Sequence, residues 1–398
     1  MPLDITADQP CAPPSLVNAL RIVKVDSESQ FLTLKGEWNR LASSCGIDSV
    51  FLKHEWFDAA WQWLKSDAEL RLLCVYQEDR LIGISPLVLR TDNRGAFPVR
   101  RIEFLTVPDT QLCDLLAAPT DIPLVTGAVA KALFDMRHEW DTLSLSYLPE
   151  SARAFASLPT ELARRGMRPA KEPAGINLFV ALAGSWEAFY GTRGRRLKKS
   201  NNLVANRLKK AGEVAIAQQI SPDDLEGFLQ IITAISSRSW KKETGLSLEN
   251  PGPANFIRRL SEHARNNGWL SVWLLSLDGK PVAMEYQLAY QGNIHALRSD
   301  FDAAFGELSP GSHLNWILLQ QLFEKGLDRY YMGPGNNAYK LRWTEAGAPL
   351  CRLTAYSANW RGLLIYWMNQ KIRPAARRIR ALMNKSGEKP QPAQDEAE

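Results

Sequence analysis

The stretch from Asn293 to Trp343 constrains the fold more than any other part of the sequence. Asn293–Asp300 is predicted as a strand, Leu314–Glu324 as a helix with apolar residues at helical spacing, and Arg329–Met332 as a second strand. Ser309-Pro310-Gly311-Ser312 stands directly before the helix. The stretch therefore predicts a βαβ unit, whose turn at the positive end of a helix dipole suits a phosphate.

The motifs that frame this unit also occur together in a known family. S-P-G-S-x-L precedes the helix at residues 309–314, and G-P-G-x-x-x-Y-K-x-x-W follows the second strand at residues 333–343. In this order they resemble GNAT-superfamily acetyltransferases of the CelD/BcsL type. Those proteins are linked to cellulose and exopolysaccharide biosynthesis and are similar to the FemABX peptidyltransferases. With the basic run 194–210 and the strand pair around residues 278–283, the resemblance covers about residues 50–357.

What the resemblance implies is an acyltransferase. It implies transfer of an acyl group from acetyl-CoA, or another acyl-CoA, to an amine or hydroxyl without a covalent enzyme intermediate. The acceptor would be a small molecule or a saccharide, such as a polysaccharide precursor. Two alternatives stay open: a FemABX-like transferase that uses aminoacyl-tRNA, and a non-catalytic accessory protein of a polysaccharide synthase.

Length and element order predict an α/β protein of two tandem GNAT-like halves, each a mixed, mainly antiparallel sheet flanked by helices. A chain of 398 residues is long for one domain. We expect a disordered N-terminus (1–18), a degenerate first half (19–170), an acyltransferase half (171–358), an amphipathic basic helix (359–384) and a disordered tail (385–398). The first half is called degenerate because Pro108-Asp109-Thr110-Gln111 offers no glycine for a phosphate turn.

Composition limits the class of protein, the cofactors and the cellular location that we expect. Hydrophobic residues make up 45% of the chain and charged residues 23%, which is ordinary for a globular protein. The five cysteines are scattered and never spaced as C-x-x-C, so neither a disulfide framework nor a zinc site is expected. The sequence has no signal-peptide pattern and no run of about 18 apolar residues, which predicts a cytoplasmic protein. We expect no metal cofactor.

The turn before the helix supplies the predicted donor site. Glycine lacks a Cβ and permits a close approach, so backbone N–H groups beside it can reach a pyrophosphate. The predicted cofactor-binding residues are Ser309, Gly311, Ser312 and His313. An ordinary Ser-Pro helix start explains the same pattern. The usual GNAT turn has two glycines and an Arg or Gln, so another phosphate-bearing donor stays open.

Three residues at or after the ends of the two predicted strands are the predicted catalytic groups. Lys340, held near the end of the second strand, could stabilise an oxyanion, and Tyr339 could protonate the leaving thiolate. Asp300 could deprotonate the acceptor, although a strand-end Asp also serves as a turn cap. Glu285 and His295, on neighbouring strands, are equal alternatives for this base.

Two basic segments predict anionic partners. Eight Lys and Arg and no acid lie between Arg193 and Lys210, and such a run suits a coenzyme phosphate or tRNA, although most charge runs are solvated faces. The predicted substrate-binding residues are Arg195, Arg196, Lys199, Trp240 and Arg298. The basic helix after Trp360 predicts contact with a membrane surface.

Overall fold

The computed structural model describes residues 20–93 and 97–369. The predictions for residues 1–18 and 385–398, and for the helix beyond residue 369, lie outside the described residues. Within the described ranges, no helix is long and apolar enough to cross a membrane.

The first half of the chain alternates strands and helices as expected. Its strands are β1 (Leu20–Val25), β2 (Glu69–Leu70), β3 (Leu72–Gln77), β4 (Arg80–Ser85), β5 (Leu87–Asp92), β6 (Val99–Phe104), β7 (Leu116–Ala117), β8 (Thr142–Pro149) and β9 (Ala170–Ala181). Its helices are α1 (Glu28–Thr33), α2 (Lys35–Ser44), α3 (His54–Leu64), α4 (Ile122–Asp135) and α5 (Arg153–Arg164).

The second half repeats this order. Its strands are β10 (Val214–Gln219), β11 (Leu270–Leu277), β12 (Lys280–Tyr290), β13 (Asn293–Phe301), β14 (Arg329–Pro334) and β15 (Gly347–Tyr356). Its helices are α6 (Trp186–Gly191), α7 (Arg195–Ala211), α8 (Leu225–Ser237), α9 (Pro251–Asn266), α10 (Pro310–Phe323), α11 (Ala338–Leu341) and α12 (Trp360–Trp367).

One large sheet carries both halves. Its strand order is β10-β11-β12-β13-β14-β9-β15-β8-β6-β5-β2, and a second sheet of the first half has the order β1-β3-β4-β7. The described strands pair antiparallel except for β6 with β8 and β13 with β14. The last strand, β15, lies between β9 and β8. The predicted fold class, two α/β halves with mainly antiparallel sheets, is confirmed.

Aromatic packing joins the halves on one side of the sheet. The aromatic residues around α3 recur at helical spacing, which predicts a core position, and Phe51, Trp56 and Phe57 are fully buried. The Trp56 ring meets Phe256 of α9 edge-on, with centroids 5.4 Å apart. Burying one such side chain contributes about 1.5–3 kcal/mol, so α3 and α9 hold the two halves together.

Two helices differ from those that the sequence predicts. The sequence predicts one helix over residues 185–210, but the structure has two, α6 and α7, because Gly194 adopts an extended conformation between them. The sequence predicts a helix over residues 223–242, but α8 ends at Ser237, and Asp224 caps it by accepting a hydrogen bond from the Gly227 N–H. The short helix α11 after β14 was not predicted.

Gly347→Ala should destabilise the pairing of β15 with β9. A Cβ at Gly347 would lie 2.5 Å from Ile176 Cγ1 and 2.9 Å from the backbone oxygen of Asn177. Overpacking of this kind costs about 1–3 kcal/mol, measurable by urea denaturation. Gly36→Ala on α2, where a Cβ meets nothing within 4 Å, is the control and should stabilise by up to about 1 kcal/mol. Equal effects at both positions would contradict the close packing.

Candidate active site

The candidate site lies where two parallel strands separate. β13 pairs with β14 only from Asn293–Arg329 to His295–Tyr331. Beyond this point the strands diverge and leave a cavity of about 470 Å³ between them. Ala296, Leu297, Ser299 and Phe301 line it from β13, and Met332, Gly333 and Pro334 line it from β14. Residues of both strands thus face the cavity.

Lys340 lies in the wall of this cavity, beside the end of β14, as predicted. Its ammonium group donates to the carbonyl oxygens of Gly333 and Pro334, at 2.9 Å each. The side chain is buried without a carboxylate partner among the described residues. Burial lowers its pKa from 10.5 to about 8, so the group is mostly cationic at neutral pH yet can lose its proton.

Tyr339 and Trp240 also line the cavity. Burial, with the negative charge of Glu285 as the second cause, raises the pKa of the Tyr339 hydroxyl. The phenol therefore keeps its proton at neutral pH. Trp240 is largely exposed, which places a free aromatic surface at the cavity.

The turn before α10 is less open to a phosphate than the sequence predicts. Gly311 and Ser312 line the cavity, but Ser309 and His313 do not. The N–H groups of Ser312 and His313 already donate to the Ser309 carbonyl, at 3.1 and 3.3 Å. Within the described residues the Gly311 N–H has no backbone acceptor. Anion binding here is thus reduced to the Gly311 N–H and the Ser312 hydroxyl.

The predicted base, Asp300, does not line the cavity. It is fully buried, and its carboxylate lies 2.6 Å from Nζ of Lys241, which does line it. His295 is buried as well, and burial lowers its pKa to about 3, so it stays neutral. Neither group is placed to meet an acceptor in the cavity.

Glu285, the other alternative base, is part of a buried hydrogen-bond network. It accepts hydrogen bonds from the Tyr330 hydroxyl at 2.5 Å and from Gln287 Nε2 at 2.8 Å. Burial raises its pKa. Asn315, which lines the cavity, donates to Glu285 at 3.3 Å, so Glu285 is separated from the cavity by one side chain.

A loop of the first half completes the cavity, through two residues that were not among the predicted site residues. Asp109 and Gln111 line the cavity. Gln111 Nε2 donates to the Ala296 carbonyl at 2.7 Å, and its Oε1 lies 3.2 Å from His295 Nδ1. The available signal was a polar run just after β6, where the first half also has a parallel strand pair.

Arg298, predicted to bind substrate, instead holds this loop. It is buried, and its Nε donates to Asp109 Oδ2 at 2.8 Å. Its Nη1 donates to the Leu246 carbonyl at 2.7 Å. Because the guanidinium is already engaged, Arg298 positions Asp109 at the cavity rather than contacting a ligand there.

The basic helix α7 contributes its buried face to the cavity through Leu197 and Asn201. The predicted substrate-binding residues Arg195, Arg196 and Lys199 are exposed on the other side of the helix. None of the three has an ion-pair partner among the described residues. They present positive charge to solvent, next to the cavity but outside its lining.

A second cavity, of about 650 Å³, adjoins the first. It lies where β6 and β8 diverge after their own short parallel pairing at Arg101–Thr142 to Glu103–Ser144. Pro108 and Pro334 line both cavities. The first half therefore repeats the strand divergence of the second, and the two openings are neighbours. The described residues contain no group of three or more His, Cys, Asp or Glu placed to hold a metal ion.

The comparisons with known proteins agree with this geometry. Residues 195–341, somewhat over a third of the chain, match the family described as "Acetyltransferase (GNAT) domain". No curated protein matches the chain significantly. The segment that contains α7, β13, α10 and β14 thus matches this domain family, and the whole chain folds as two α/β halves with mainly antiparallel sheets.

Solved structures share the overall fold at low sequence identity. The C-terminal domain of a putative lysylphosphatidylglycerol synthetase from Agrobacterium fabrum has a TM-score of 0.51 and 14% identity, over 85% of this chain and 95% of that chain. FemX has a TM-score of 0.53 and 10% identity, over 84% of this chain and 98% of that chain. These values show similarity of fold.

Lys340→Met should change how the free energy of unfolding depends on pH. Between the folded pKa of about 8 and the value of 10.5 for an unburied lysine, the unfolded chain binds more protons than the folded one. Stability contributed by Lys340 therefore rises with pH across this window. Relative to the variant, the wild type should gain roughly 3 kcal/mol between pH 8 and pH 10.5.

Urea denaturation at several pH values measures this difference. Lys199→Met removes an exposed lysine and controls for the general effect of losing one positive charge. Parallel pH profiles for wild type and Lys340→Met would show that Lys340 is not a buried cation.

Proposed function

We propose that the protein is an acyltransferase that moves an acyl group from an acyl-CoA thioester to an amine or hydroxyl within the cavity between β13 and β14. The observation that carries the proposal is the divergence of these parallel strands inside the segment that matches the acetyltransferase domain. The two diverging strands form a slot, and the Lys340 ammonium lies in its wall. An extended thioester donor suits such a slot.

The residues around the slot fit a donor of this kind. Leu197, Leu297, Met332 and Trp343 give it apolar walls, which suit the uncharged arm of a coenzyme. The Gly311 N–H, the Ser312 hydroxyl and the exposed Arg342 guanidinium are available for its phosphates. An acyl-CoA donor is also consistent with the cytoplasmic location predicted from the sequence.

The proposed acyl transfer requires three contributions from residues of the protein. As the acceptor nitrogen or oxygen bonds to the thioester carbon, negative charge develops on the carbonyl oxygen. Lys340, with two N–H groups fixed on carbonyls, has a third to stabilise that charge. As the C–S bond breaks, the Tyr339 hydroxyl can protonate the thiolate, because its raised pKa keeps it protonated.

The third task is removal of the acceptor's proton. Asp109 is a better candidate than Asp300, because its carboxylate lines the cavity and is held there by Arg298. The acceptor can enter through the adjoining cavity, where Ser144, Ser146 and Arg352 offer hydrogen-bonding groups. Such a lining suits a hydroxyl-rich acceptor. It supports the saccharide or polysaccharide precursor implied by the CelD/BcsL resemblance.

Aminoacyl-tRNA is the second candidate donor. The exposed cations of α7 favour it, because Arg195, Arg196 and Lys199 lack acidic partners in the described part of the chain. Against it stands the overall charge of only +5, which is modest for an RNA-binding protein. The accessory-protein alternative is the weakest of the three, since the cavity lies largely within the segment that matches the acetyltransferase domain.

Ser312→Glu should weaken donor binding without weakening the fold. A carboxylate in the first turn of α10 interacts favourably with the helix dipole, by about 0.3–1 kcal/mol, but it repels the donor's phosphates. We expect the dissociation constant for acetyl-CoA, measured by calorimetry, to rise about tenfold or more, with an unchanged or higher melting temperature. Ser312→Gln is the uncharged control. If both variants bind acetyl-CoA equally well, this turn does not hold a phosphate, and no acetyl-CoA binding by the wild type would refute the proposed donor.

Reversal of the charges at Arg195, Arg196 and Lys199 to Glu separates the two donors. If α7 holds tRNA, binding of charged tRNA should be lost, and wild-type affinity should fall with salt by a log–log slope of about −0.7 to −0.9 per phosphate contact. If acyl-CoA is the donor, the wild type should bind charged tRNA weakly, and the reversal should leave turnover within about threefold. Submicromolar, salt-sensitive binding of charged tRNA would indicate that the donor is aminoacyl-tRNA rather than acyl-CoA.

A further inference from the structure

Helix α12 presents an apolar stripe to solvent. Trp360, Leu364 and Trp367 are exposed by 71%, 43% and 49% of their surface. Spacings of four and three residues place all three on one face of the helix. Two exposed tryptophans and a leucine in a row are unusual for a surface that meets only water, and such a patch marks an interaction site.

The opposite face of α12 fixes this stripe in place. Gly362 and Ile365 are buried against the rest of the protein. Asn359 caps the helix by accepting from the Gly362 N–H at 2.7 Å, and its Nδ2 donates to the Trp140 carbonyl at 3.0 Å. Arg361 Nε lies 3.0 Å from Asp141 Oδ1, a fully buried carboxylate. The helix is therefore anchored, and its outer face points away from the body.

The sequence that follows the stripe indicates its partner. From Lys371 to Lys385 the sequence holds six Lys and Arg and no acid. Tryptophan prefers the boundary between lipid headgroups and acyl chains. Clustered Lys and Arg beside such residues are attracted to anionic lipids by about 1 kcal/mol each near the surface.

We propose that α12 docks the protein on an anionic lipid bilayer, with Trp360, Leu364 and Trp367 inserted at the headgroup level. The Lys and Arg that follow α12 in the sequence make an anionic surface a better match than a neutral one. The proposal is independent of the acyl-transfer chemistry, since α12 lines neither cavity.

Vesicle co-sedimentation of the full chain tests this docking. We expect binding to equimolar phosphatidylcholine–phosphatidylglycerol vesicles and at least about tenfold weaker binding to pure phosphatidylcholine. Replacing Trp360, Leu364 and Trp367 together by Ser should weaken binding to the anionic vesicles at least about tenfold. A second triple variant, with Ser at the exposed Leu124, Ile220 and Ile231, should bind as the wild type does.

Three outcomes would overturn the proposal. One is a wild type that does not sediment with anionic vesicles, and another is equal binding by both triple variants. The third is a size-exclusion shift from dimer to monomer in the α12 variant without loss of lipid binding, which would make the stripe a contact between copies of the chain. Acetyl-CoA calorimetry on the same variant shows that it is folded, because donor binding should be unchanged.

Discussion

The architecture of the candidate site depends on the short parallel pairing of β13 and β14. Strands that pair for three residues and then part leave carbonyl groups at the divergence without a neighbouring strand, and buried carbonyls need donors. Side chains supply them here: Gln111 for Ala296, and Lys340 for Gly333 and Pro334. The cavity stays open because these few donors replace a whole strand. The lysine that satisfies the backbone is also the cation best placed for the chemistry.

This arrangement explains the role of the first half. Its own diverging strands adjoin those of the second half, and its loop supplies Asp109 and Gln111 to the shared wall. The Arg298 guanidinium holds that loop through its ion pair with Asp109, and the packing of α3 against α9 holds the two halves together. The first half is degenerate only in lacking a phosphate turn. In the structure it is the partner that closes the site.

The sequence predicted the parts whose signals are local. Each of these signals lies within a few residues of the element that it predicts. They are a Ser-Pro helix start, the helical spacing of apolar residues, and two glycines after a strand. For this reason α10, β14 and the position of Lys340 were predicted correctly. Asp109 meets Arg298 across a separation of 189 residues, and no local pattern reports such a contact. The orientation of Asp300 depends on Lys241 beside it. The N–H groups of Ser312 and His313 are already hydrogen-bonded to Ser309, and this depends on the left-handed backbone of Ser309. The side chain of a serine does not predict that conformation.

The position of β15 links the structure to the order in which the chain is made. This strand comes near the end of the sequence but lies between β8 and β9, in the middle of the large sheet. Until β15 joins the sheet, the edges of β8 and β9 that it covers have no partner, and the large sheet is divided into two parts. Unpaired strand edges invite wrong partners. The two halves therefore complete their shared sheet together, when β15 inserts between them.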